Sequence, residues 1–203
     1  LDIIEEENEE DFAKMNALAP SDEEYLDSSV YSLAKQRIMW LLILMISATF
    51  TGIIIRQYES VLSSVVILAS FIPMLMDTGG NSGSQSSTLI IRGLALGELE
   101  ITDYPKILWK EFRVSILVGL VLAFINFLRI YLLERVDFIV SLTVCISLFA
   151  TVVLAKVVGG MLPLIAKKFK LDPAIMAAPL VTTIVDTFAL MVYFSTASLL
   201  MGL

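Results

Sequence analysis

Residues 173–203 read PAIMAAPLVTTIVDTFALMVYFSTASLLMGL, an apolar stretch with one carboxylate, Asp186, near its middle. A membrane span needs roughly 20 mainly apolar residues, and this stretch exceeds that. A charge at the centre of a bilayer costs roughly 2.5–3.5 kcal/mol even on permissive scales. Such a residue faces a bundle interior or an ion path rather than lipid. The stretch therefore predicts both a helical bundle and the passage of ions.

Working outward, residues 38–55, 61–91, 114–133 and 138–166 are also long and apolar enough to span. Hydrophobic residues make up 57% of the 203, which a soluble domain of this size rarely approaches. The expected fold is an all-α polytopic membrane protein with five transmembrane helices per chain. The segments 61–91 and 138–166 exceed the minimum length and predict tilted helices, or helices that reach into the cytoplasm.

The chain has no histidine, which excludes His-ligated zinc, His-based nucleophile triads and histidine proton relays. Its single cysteine, Cys145, allows no intrachain disulfide. The net charge of −7 is uneven, with acids concentrated in residues 1–27, where Lys14 is the only base. That acidic leader gives no reason to expect nucleic acid as a partner, and it does not look like a cleaved signal peptide.

Lys35, Arg37, Arg92, Lys106, Lys110, Arg113, Lys167, Lys168 and Lys170 fall on one side of the five spans, Arg56 and Arg135 on the other. The positive-inside rule then predicts a multi-pass protein of the cell membrane, with the N-terminus cytoplasmic and the C-terminus outside. The expected organisation is an acidic segment (1–18), a cytoplasmic connecting helix (19–37) and a five-helix membrane domain (38–203). Ser21 or Asp22 would cap a helix through residues 25–37. The turns at 56–60 and 134–137 are very short, and 93–111 is the longest inner loop. Asp172-Pro173 reads as a helix start, with Asp at the N-cap and Pro at the first position.

Two segments carry chemistry. Residues 73–85, PMLMDTGGNSGSQ, are small and polar where a lipid-facing helix would be apolar. They form either a packing seam between helices or a hydrated path lined by Asp77 and Asn81. In the last span Thr182 lies four residues before Asp186, on the same helix face. Pro179 cannot donate to residue 175, so the Ile175 carbonyl is expected to be free at depth. Asp186 is either an ion-path residue or half of a buried pair with Lys156. An oxygen lining of this kind suits Mg²⁺, which takes one or two carboxylates and keeps several waters. Glu7, Glu10 and Asp11 share a helix face in the leader; they form a cation site or simply a solvated tail.

These segments together resemble the MgtE magnesium channel family over nearly the whole chain. The carrying motifs are PMLMDTGGNSGSQ (73–85), LIIRGLA (89–95) and DPAIMAAPLVTTIVD (172–186), with YESVL (58–62) and GMLP (160–163). The resemblance implies a homodimer whose pore lies on the two-fold axis, lined by the second and fifth helices. It implies that Asp186 holds hydrated Mg²⁺ and that Asp172 takes part in binding Mg²⁺ on the cytoplasmic side. It also implies that Asp2, Glu7, Glu10 and Asp11 belong to a Mg²⁺-sensing cluster at the tail of a regulatory CBS module. Residues 25–37 resemble the family's plug helix. Ala178 and Ala189 stand where many relatives have Asn and Gly.

The expected function is Mg²⁺ influx through a selective channel, with Asp77, Asn81, Thr182 and Pro179 lining the path. Mg²⁺ would serve as both transported and regulatory ion, and the partners would be a second copy and the lipid bilayer. The contrasting reading is a secondary transporter exchanging a divalent cation for protons or sodium. An intramembrane hydrolase would need a nucleophile–base pair, or two close carboxylates for which Asp77 and Asp186 are the only candidates. No enzymatic role is expected.

Overall fold

A computed structural model of the chain describes residues 26–176 and 178–203. The leader carboxylates Asp2, Glu7, Glu10 and Asp11, and the expected cap at Ser21 or Asp22, lie outside the described residues.

Helix α1 spans Val30–Gln57, and the Ser29 hydroxyl accepts the Ser32 N–H to cap it. No break separates a connecting helix from the first span: α1 continues through residue 37 into the apolar stretch. Its main neighbour is the last helix, and most of its apolar surface faces outward.

The apolar run 61–91 does not form one long tilted helix. A short helix α2 (Glu59–Ser64) ends at Val65, whose φ of −135° and ψ of 79° break the helical path. A 3₁₀ segment, Val66–Phe71, follows, and then helix α3, Ile72–Ala95. Hydropathy reports only that these residues are apolar. It is silent on where their backbone hydrogen bonds change register.

Helix α4 spans Tyr104–Leu128 and winds into a π-helical turn at Arg129–Leu133. It starts ten residues before the predicted span, so most of the expected inner loop is helical. Helix α5, Phe138–Lys168, matches its prediction closely. Asp137 caps it by accepting the Ile139 and Val140 N–H groups at 2.8 and 3.4 Å. Its last turn carries Lys167 and Lys168, which suit the negative end of the helix dipole. Lys170, at φ 59°, turns the chain back, and Leu171 N–H reaches the Ala166 carbonyl at 2.9 Å.

After a 3₁₀ turn at Pro173–Met176, helix α6 spans Ala178–Met201. Pro179 is thus the second residue of α6, where a missing N–H costs nothing. The expected orphan carbonyl of Ile175 in mid-helix does not arise, because residue 175 precedes the helix.

Among the described residues four helices are long and apolar enough to cross a membrane: Val30–Gln57, Ile101–Leu133, Phe138–Lys168 and Pro179–Met201. The small and polar residues of α3 keep it below that standard, yet α3 packs along both α5 and α6. Helix α5 is the centre of the bundle, with α4 on one side and α3 and α6 on the other. The main core joins Leu68, Leu75, Val144, Val152, Leu190 and Phe194. Buried Tyr193 ties α6 to the 3₁₀ segment through a 2.9 Å hydrogen bond to the Leu68 carbonyl.

Candidate functional site

The small and polar run in α3 divides between two faces. Gly79, Gly80, Ser82, Gly83, Ser86 and Ser87 are buried, whereas Asp77, Asn81 and Gln85 form an exposed stripe at i, i+4 and i+8. The buried face is the expected packing seam, and Asp77 and Asn81, the residues expected to line a path, lie on the other face.

The buried side is a close-packing seam. A Cβ on Gly79 would lie 2.8 Å from the Thr151 methyl of α5, and one on Gly80 2.9 Å from the Thr182 methyl of α6. A Cβ on Gly159 would collide with the Gly83 carbonyl oxygen, so α3 and α5 meet backbone to backbone. These glycines bring α3 near enough to α6 for the polar stripe to meet the Asp186 face.

Where they meet is a cleft of about 170 Å³, lined by Met76, Asp77, Gly80, Asn81, Thr182 and Asp186. Asp77 and Asn81 are one turn apart on α3, and Thr182 and Asp186 are one turn apart on α6. The Thr182 hydroxyl donates to the Pro179 carbonyl at 3.0 Å, and that of Thr183 to the same oxygen at 2.9 Å. The Thr182 oxygen is left with its lone pairs as an acceptor. Two carboxylates, an amide and a hydroxyl thus converge, a donor set suited to a hard cation that retains water. Among the described residues no group of three or more His, Cys, Asp or Glu could grip a bare ion.

Lys156 is buried, but among the described residues no ion pair joins it to Asp186. Pro179 does not line the cleft; it supplies the carbonyl that orients Thr182. Asp172 stands apart from the other site residues. Its carboxylate accepts the Ala174 N–H at 2.9 Å, capping the 3₁₀ turn, and it lines a separate cavity of about 240 Å³ with Ile91 and Lys167.

Met76 and Gly80 join the cleft without having been expected. Met76 immediately precedes Asp77 and Gly80 immediately precedes Asn81, so the two form a parallel row, four residues apart, beside the polar stripe. Glu111, at the end of the expected inner loop 93–111, belongs to a helix instead. It lies inside α4 and accepts a 2.6 Å hydrogen bond from buried Ser86.

Residues 72–196 match the MgtE family, described as divalent cation transporters. The chain is 38% identical over 206 residues to a magnesium transporter MgtE from Thermus thermophilus, covering 99% of this chain and 44% of that protein. It is 33% identical over 198 residues to a magnesium transporter MgtE from Bacillus subtilis, covering 98% and 43% respectively. A third magnesium transporter MgtE, from Enterococcus faecalis, is 28% identical over 204 residues, covering 99% and 44%. The chain thus spans less than half the length of the curated relatives it matches.

Proposed function

The chain belongs to the MgtE family of divalent cation transporters, and from that membership we propose that it forms a dimeric channel pore for hydrated Mg²⁺. The observation that carries this reading is the convergence of Asp77, Asn81, Thr182 and Asp186 on one cleft. The names of the relatives support magnesium as the transported ion.

The polar stripe also favours a second copy. Asp77, Asn81 and Gln85 are exposed on a helix that packs among membrane-spanning neighbours. Facing lipid, they would be costly. Facing a two-fold axis, they become the wall of a water-filled path, and each carboxylate is doubled. Paired Asp186 side chains then hold Mg²⁺ through its water shell, because the ion sheds water reluctantly. Rings of acidic side chains select cations in this way without stripping them.

Hydrated Mg²⁺ enters at the Glu134 end, is held between the Asp186 carboxylates, and leaves past Asn81 and Gln85 toward the Asp172 end. The distribution of Lys and Arg supports the Asp172 end as cytoplasmic. Asp172, in its separate cavity, is assigned to a second ion position near the exit.

A thiol-block experiment tests the path. In a Cys145→Ser background, Asn81→Cys provides a unique thiol. A charged thiol reagent is expected to stop Mg²⁺ flux into proteoliposomes through Asn81→Cys and leave the parent unaffected. Unaltered flux after complete modification would put the path elsewhere.

A further inference from the structure

A second cavity, of about 600 Å³, opens between α3 and the far end of α4, on residues the ion cleft does not use. Its size falls within the usual range for small-molecule sites, roughly 300–1,000 Å³. Its lining is graded along α4. Leu122 and Ile125, with Leu148 of α5, line the deeper part, while Ser70, Arg129 and Glu134 line the end nearer the helix terminus. About 10 Å of helix rise separates Leu122 from Arg129. On the α3 side Phe71 and Pro73 add apolar wall and Thr78 a hydroxyl; the α4 wall, passing from apolar to charged, matches an amphiphile standing along the membrane normal.

The mouth is built, not incidental. Asn126, buried and also lining the cavity, accepts from Arg129 Nε and Nη2 at 3.2 and 3.0 Å. Arg129 Nη2 also reaches the Met74 sulfur at 3.4 Å, and Nη1 donates to Glu134. A guanidinium has five N–H donors, so one Nη1 hydrogen is unassigned among the described residues. Both side chains of the pair stay partly exposed, at 45% for Arg129 and 40% for Glu134. The π-helical turn Arg129–Leu133 connects the two members of the pair, ending at Glu134, and such turns are frequent at functional sites.

We propose that this cavity binds a phospholipid with a primary-ammonium headgroup, of the phosphatidylethanolamine type. The phosphate would accept from Arg129, the ammonium would donate to Glu134, and an acyl chain would run down past Ile125 and Leu122. The choice follows from charge complementarity. A side-by-side cation and anion match a zwitterion, whereas Glu134 repels a purely anionic headgroup. A choline headgroup carries no N–H and cannot donate to Glu134. The inference rests on the membrane-spanning reading of α4, and its readout is bound lipid rather than flux, so it stands or falls apart from the pore.

The test is native mass spectrometry of the delipidated chain in detergent, titrated with phosphatidylethanolamine, phosphatidylcholine and phosphatidylglycerol. The same spectra report oligomeric state. Wild type should bind phosphatidylethanolamine about tenfold more tightly than the other two, the scale of one charge-assisted hydrogen bond. Arg129→Gln should lose that affinity. Glu134→Gln should bring phosphatidylethanolamine down to the phosphatidylcholine level. Ile125→Trp, which leaves the charge pair intact and fills the deeper part, should weaken all three lipids. Equal binding of the three lipids to wild type would overturn the proposal. So would unchanged binding in both Arg129→Gln and Ile125→Trp, or variants that bind no less lipid but alter the oligomer, which would make the groove a contact between copies.

Discussion

Two kinds of residue do most to shape the cleft of Asp77 and Asp186, the glycines that draw the helices together and the polar side chains brought face to face. Gly159 cannot carry a Cβ without moving backbone, because that atom would collide with the Gly83 carbonyl oxygen. Overpacking of this kind costs about 1–3 kcal/mol, so Gly159→Ala should lower thermal stability in detergent by that amount. It should also reduce flux, because α3 would be pushed from its seat. Gly52 is a control, since a Cβ there meets nothing within 4 Å. Gly52→Ala should be neutral or stabilise α1 by up to about 1 kcal/mol. A Gly159→Ala variant as stable as Gly52→Ala would refute the tight crossing. At Tyr193, replacement by Phe removes only the hydroxyl that serves the Leu68 carbonyl. Leaving a buried acceptor unsatisfied costs about 1–3 kcal/mol, so Tyr193→Phe should melt earlier than wild type, with little change in helical content.

At the scale of elements, the caps and turns decide which predictions held. Helix α5 was legible because Asp137 at one end and Lys167 and Lys168 at the other mark its limits. Asp137→Ala should cost about 0.5–2 kcal/mol, detectable as a lowered melting temperature; an unchanged value would mean water replaces the cap fully. The break at Val65 was not legible. Apart from Ser63 and Ser64, residues Val61 through Leu68 are apolar, and no proline or glycine marks the change from α-helix to 3₁₀. Pro179 misled in the opposite sense, since a proline inside an apolar stretch reads as an interior kink until the preceding turn is known. Asp77, Asn81, Thr182 and Asp186 were each visible as polar residues at four-residue spacing. Their meeting in one cleft was not, because it depends on Gly79 and Gly80 admitting Thr151 and Thr182.

At the scale of the whole molecule, the proposed pore calls for two copies of the chain. One wall of the cleft is exposed along α3, and α1 packs mainly against α6 with most of its surface facing outward. A second copy across the exposed stripe would complete the lining and double each carboxylate. The most direct test of this account is Mg²⁺ flux into proteoliposomes, comparing wild type with Asp186→Asn, with and without imposed proton or sodium gradients. The account predicts wild-type flux independent of either gradient and a fall of about tenfold or more in Asp186→Asn, as the loss of a cation-holding charge at depth implies. Undiminished flux through a folded Asp186→Asn protein, or wild-type flux that appears only with the second gradient, would contradict it.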